Sequence, residues 1–116
     1  MKKYLVLYKA EAAKGGPSVA EMLASATPEQ MEAGMAVWAA WHAKCQGSIV
    51  DMGAPLGNAT NLEGGNATKA ETAITGYSIL QAASLEDAIA LMDGHPHFNM
   101  PGAAIEVLES IPMPGM

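Results

Sequence analysis

Four short apolar segments and two capped helical segments, in the order β-α-β-β-α-β, predict an α+β domain for this chain. Three observations carry that expectation. Aromatic and β-branched residues gather in short runs. One long amphipathic stretch lies between a Thr-Pro-Glu-Gln start and a glycine stop. And 116 residues leave room for one core only.

Each element has its own warrant. Residues 3–9, within KKYLVLYK, form strand one, because the run favours β structure and stops at charge. Gly15, Gly16 and Pro17 then block regular structure, with room for a helical turn within 18–25. In ATPEQMEAGMAVWAAWHAKCQG, Thr27 is the expected N-cap, Pro28 opens the helix, Gln30 completes a capping box and Gly47 is the stop. Met31, Gly34, Met35, Trp38, Trp41, His42 and Cys45 fall within about 120° of arc, so one helix face is apolar and centred on Trp38. SIVDMG is strand two. The next twenty or so residues, GAPLGNATNLEGGNATKAE, show no hydrophobic period and are expected as a loop, a flap over a cleft. ETAITGYSILQA is strand three, and SLEDAIALMDG is a second helix with Ser84 as N-cap and Gly94 as stop. AAIEVLESI is strand four, followed by a short irregular tail.

That order is the ferredoxin-like split βαβ plan, an antiparallel four-stranded sheet with both helices on one face. Leu5 and Leu7 on one side of strand one, and Tyr4, Val6 and Tyr8 on the other, leave neither face polar. The second face is therefore expected to meet a partner, and a twofold homodimer is the simplest closure.

Composition narrows the function classes. A net charge of −6 argues against a nucleic-acid partner, whose phosphates reward a basic face. The apolar run YLVLY is broken by Lys9 and Glu11, too soon for a signal core, and no stretch reaches the length of a membrane span. With a single cysteine, Cys45, the chain is expected to be cytoplasmic, without membrane association, and the N-A-T sequons at Asn58 and Asn66 unmodified. No cofactor motif is present: NLEGGNATK lacks the spacing of a phosphate loop.

The segments G-S-I-V-D-M-G-A-P-L, G-Y-S-I-L-Q-A-A-S-L-E-D-A and P-H-F-x-x-x-G-A-A-I-E-V-L-E-S-I-P-M together resemble the YCII-related family of the dimeric α+β barrel superfamily. The resemblance spans nearly the whole chain. It implies a homodimer whose two sheets pack into a barrel, with a small cleft beside each sheet and a His/Asp pair in it. Here helix one carries its histidine at His42, toward its C-terminus, and the aspartate that follows is Asp51.

Three residues are the expected catalytic set: His42, Asp51 and His97. His42 reads either as a core-edge histidine or as a general base in a pocket walled by Trp38 and Trp41. A carboxylate inside SIVDM is expensive unless bonded, so Asp51 either pairs with His42 or takes N–H bonds from the Gly53-Ala54 turn. His95 and His97 flank Pro96 with the H-x-H spacing of metal sites. No third-ligand motif accompanies them, so no metal is expected, and the stretch reads first as a helix stop. Trp38, Trp41, Tyr77, His95 and Glu106 complete the expected ligand-binding set around a small organic molecule. Two functions follow: acid–base catalysis without a cofactor on a small metabolite, or a non-catalytic binding or accessory module.

Overall fold

Alternation of burial along β1 (Lys2–Ala10) sets the architecture: Tyr4, Val6, Tyr8 and Ala10 are buried, while Leu5, Leu7 and Lys9 between them are half-buried. The computed structural model describes residues 1–11, 24–99 and 102–115. The expected helical turn within 18–25 falls mostly outside them.

Helix α1 (Pro28–Lys44) starts as its sequence dictates. The Thr27 hydroxyl accepts the Gln30 N–H at 3.1 Å, and the Gln30 side-chain oxygen accepts the Thr27 N–H at 2.9 Å. After β2 (Ile49–Asp51) the chain forms a separate two-stranded hairpin, β3 (Thr60–Glu63) and β4 (Asn66–Lys69). This corrects the expectation of an unstructured loop. Gly64 and Gly65 both take positive φ, 53° and 85°, which is what a two-residue primed turn requires. Then come β5 (Ile74–Ala82), α2 (Leu85–Ala90) with the Ser84 hydroxyl accepting the Asp87 N–H, a 3₁₀ turn (Pro96–Asn99) and β6 (Ala103–Glu109). Helix α2 is shorter than expected, because the chain unwinds into turns from Leu91 and reverses at Gly94, where φ is 69°.

The main sheet has the order β2-β5-β1-β6 with every neighbouring pair antiparallel. One face carries the core: Val6, Tyr8 and Leu80 of the sheet pack on Trp41 and Cys45 of α1 and on Met92, and Tyr4 and Ala82 pack on Ala88 of α2. Side chains of α1 also close the end of the second helical segment, whose last carbonyls have no helical partner. The Trp41 indole donates to the Leu91 carbonyl at 3.0 Å, and the Lys44 ammonium to that of Asp93 at 3.0 Å.

The apolar stripe of α1 is buried along half its length only. Trp41 and Cys45 are buried and Trp38 half-buried, but Met31 is 40% exposed and Met35 70%, against expectation. Among the described residues no helix is long and apolar enough to cross a membrane.

Candidate functional site

The stretch Gly94-His95-Pro96-His97 turns two imidazoles into the core. Gly94 ends the preceding turn, and the His95 backbone is satisfied on both sides, its N–H by the Met92 carbonyl and its C=O by the Phe98 N–H, each at 3.1 Å. The ring points inward and is 1% exposed. It lies in a box of three aromatic rings: Trp41 at 4.4 Å between centroids, Trp38 at 4.8 Å and Tyr8 at 4.9 Å. Both tryptophans meet it edge to face, and Tyr8 and Trp38 are themselves T-stacked at 5.1 Å.

Backbone bonds fix the tautomer of each histidine. The His97 N–H donates to His95 Nδ1 at 3.0 Å, so that nitrogen is bare and the neutral ring carries its proton on Nε2. His97 Nε2 lies 2.8 Å from the Lys9 carbonyl, which can only accept, so His97 also carries its proton on Nε2. His95 Nε2 is buried and has no hydrogen-bond partner. A buried donor left unpaired costs on the order of 1–3 kcal/mol, which makes it the most conspicuous polar atom of the box.

Charge is unwelcome here. Burial, with His97 adding to it, pulls the His95 pKa down to about 4, so the ring is neutral at neutral pH. Burial pushes the Tyr8 hydroxyl up to about 12, against the opposing pull of its hydrogen bond to Ser78. The Ser78 hydroxyl gives its one proton to the Met52 carbonyl at 2.7 Å, so Tyr8 is the donor in the 2.7 Å bond to Ser78. This chain of bonds pins β1, β5 and the segment after β2 together beneath the box. That segment approaches so closely that a Cβ at Gly53, where φ is 78°, would collide with the Tyr77 carbonyl.

The expected site residues are divided by the fold. Trp38, His95 and His97 lie against Tyr8, and Trp41 against Trp38 and His95. Asp51 is exposed, and its carboxylate accepts the Gly53 N–H at 2.8 Å, the turn-capping alternative of the two expected for it. His42 is half-buried, and among the described residues no hydrogen bond or ion pair joins it to Asp51 or His97. Tyr77 and Glu106 both stand in register with Leu7, on the sheet face opposite the box. Glu106 lies 3.8 Å from the Lys9 ammonium there, an exposed pair of little energetic weight. Among the described residues no three His, Cys, Asp or Glu side chains are grouped to hold a metal.

Two members of the site were missed, Tyr8 and Ser78. Their signal was the alternation of β1 and β5, which puts both on the core face, where a hydroxyl must find a partner. No family model matches the chain, and no curated protein matches its sequence.

Proposed function

We propose that this chain is a homodimeric module that binds a small, largely apolar organic molecule, built on the ferredoxin-like plan of the YCII-related family. The observation that carries the reading is the unpartnered Nε2–H of His95, held by a locked tautomer inside an apolar, aromatic wall. Small-molecule sites combine such walls with a few fixed polar groups. A neutral donor, with no ion pair at it among the described residues, suits an uncharged acceptor, a carbonyl oxygen or ring nitrogen on a flat molecule. Trp38, the half-buried wall, is the side that must swing aside to admit such a molecule.

The strand order β2-β5-β1-β6, with α1 joining β1 to β2 and α2 joining β5 to β6, supports the split βαβ plan. The apolar residues of the opposite sheet face, Leu5, Leu7, Ile79 and Leu108, support a twofold partner over that face. The single cysteine supports a cytoplasmic setting.

An NMR titration tests the ligand seat, following the Trp38 and Trp41 indole protons and the His95 imidazole nitrogens. Acetophenone, which carries an acceptor, is expected to move all three and to bind more tightly than ethylbenzene, which does not. His95→Phe should remove that preference. If neither compound perturbs the box, the reading fails.

A catalytic version rests on the same atom. An uncharged imidazole donor aimed at a carbonyl oxygen polarises it, which would make His95, rather than His42, Asp51 or His97, the reacting group's partner. Infrared spectroscopy checks this: the carbonyl stretch of bound acetophenone should move to lower frequency in the wild type. An unshifted stretch leaves binding without activation.

A further inference from the structure

The β3–β4 hairpin is an arm. All eight of its strand residues are exposed, it forms a sheet of its own, and Leu62 near its tip is 73% exposed. A single two-stranded hairpin is marginal in water unless its apolar side packs on something. Yet this one is well specified. Four residue pairs run in register from Thr60↔Lys69 to Glu63↔Asn66, the Ala70 N–H extends the ladder to the Ala59 carbonyl at 2.9 Å, and the Gly-Gly turn fixes the reversal.

Its two faces differ. Direct cross-strand partners share a face, so Thr60, Leu62, Ala67 and Lys69 stand on one side and Asn61, Glu63, Asn66 and Thr68 on the other. The second side is wholly polar, and there the Asn61 amide donates to the Glu63 carboxylate at 3.1 Å. The first side offers one large apolar group flanked by a cation.

Elsewhere on the same chain lies a surface of complementary character. Pro28, Met31, Met35, Ala36 and Ala39 form an open apolar patch on the exposed half of α1, with Glu32 beside it. Methionines adapt to whatever side chain is laid on them. Glu29 and Glu32 make the patch's border acidic, and Lys69 is one of only six basic residues in a chain of net charge −6. Apolar character and charge sign match, and both surfaces are on one chain. A twofold axis therefore satisfies the pair twice, arm of each protomer on helix of the other, and closes the assembly.

We infer that the β3–β4 arm docks on the α1 patch of a second copy of this chain, with Leu62 over Met31 and Met35 and Lys69 toward Glu32. The contact rests on the homodimer reading above in needing a second copy. It uses surfaces separate from the open sheet face.

Directed disulfide formation tests it, since two cysteines link only when their backbones come within about 7 Å. Mixing a Leu62→Cys variant with a Met35→Cys variant should give a linked heterodimer. The same mixture with Thr68→Cys in place of Leu62→Cys, on the arm's polar side, should give far less. In sedimentation equilibrium Leu62→Asp should weaken the dimer by about tenfold or more, the loss of a central apolar contact with an added like charge. Equal linking by Thr68→Cys, or ring closure within one chain of the Leu62→Cys/Met35→Cys double variant, overturns the inference. An unchanged dimer constant for Leu62→Asp overturns it too, and leaves the sheet-face dimer standing. A wild-type chain that stays monomeric at millimolar concentration removes both.

Discussion

Trp41 and Met35 lie on the same stripe of the same helix, yet Trp41 is 4% exposed and Met35 70%. The two halves of α1 differ not in sequence character but in what lies beneath them. Under the C-terminal half, β1 and β5 present Tyr8 and Leu80, and His95 folds in from the other side. Under the N-terminal half nothing among the described residues is buried against it, and residues 28–37 are all exposed. A hydrophobic period says which face of a helix wants cover. It does not say whether the cover comes from its own chain or from another.

If that contrast is right, the largest effect belongs to the sealed half. Trp41→Ala removes a buried ring together with its hydrogen bond to the Leu91 carbonyl, and should cost roughly 3–5 kcal/mol in chemical denaturation. A loss under 1 kcal/mol would mean that the two halves are not so different.

The second effect is a pH dependence. The folded His95 has a pKa of about 4 against the usual 6.5 of a free imidazole, so between those limits the unfolded chain binds the proton and the folded chain does not. Stability is therefore complete above pH 6.5 and is lost as pH falls toward 4, by roughly 3 kcal/mol in all. Protonation is opposed by structure as well, because a proton on Nδ1 would face the His97 N–H. Carboxylates titrate in the same region, so the measurement is the difference between wild type and His95→Phe. Parallel stability curves across that range would show that the box tolerates the charge.

Thr27→Ala sits at the start of the exposed half, where only local chemistry holds the helix. Losing the capping hydroxyl should cost about 1 kcal/mol in thermal or denaturant unfolding. The smallest effect is expected of Met35→Ala. At constant protomer concentration low enough to disfavour association, unfolding should shift by less than about 0.5 kcal/mol, as for other exposed positions. A clear destabilisation of the isolated chain would place Met35 in its own core.

How much of this was legible depends on whether the signal was local. The capping box at Thr27 and Gln30 and the Ser84 cap are written within four residues and occur as read. Trp38, Trp41, His95 and His97, expected at the site, do gather, because an apolar helix face and a Gly-X-Pro stop both turn side chains toward the sheet. The hairpin was missed although Gly64-Gly65 is a primed-turn pair. Its flanks, TNLE and NATK, lack the alternating apolar residues that normally announce strands, since no apolar face of the main sheet needs them. Tyr77 and Glu106, expected at the cleft, stand on the sheet face opposite the aromatic box. Parity sorts residues only within a strand, and it is the register, which sets both opposite Leu7, that puts them on one face, the one away from Tyr8.

The sequence by itself therefore determined the class of the domain, the order of its main-sheet strands and two helices, and the caps that start those helices, because caps and periods act over a few residues. Tertiary structure alone decided that His95 is sealed among Tyr8, Trp38 and Trp41 with one nitrogen unpartnered. It also decided that half of a uniform helix stripe stays bare. Those outcomes depend on contacts between residues dozens of positions apart, whose free energy is set by packing and desolvation rather than by any neighbour in the chain.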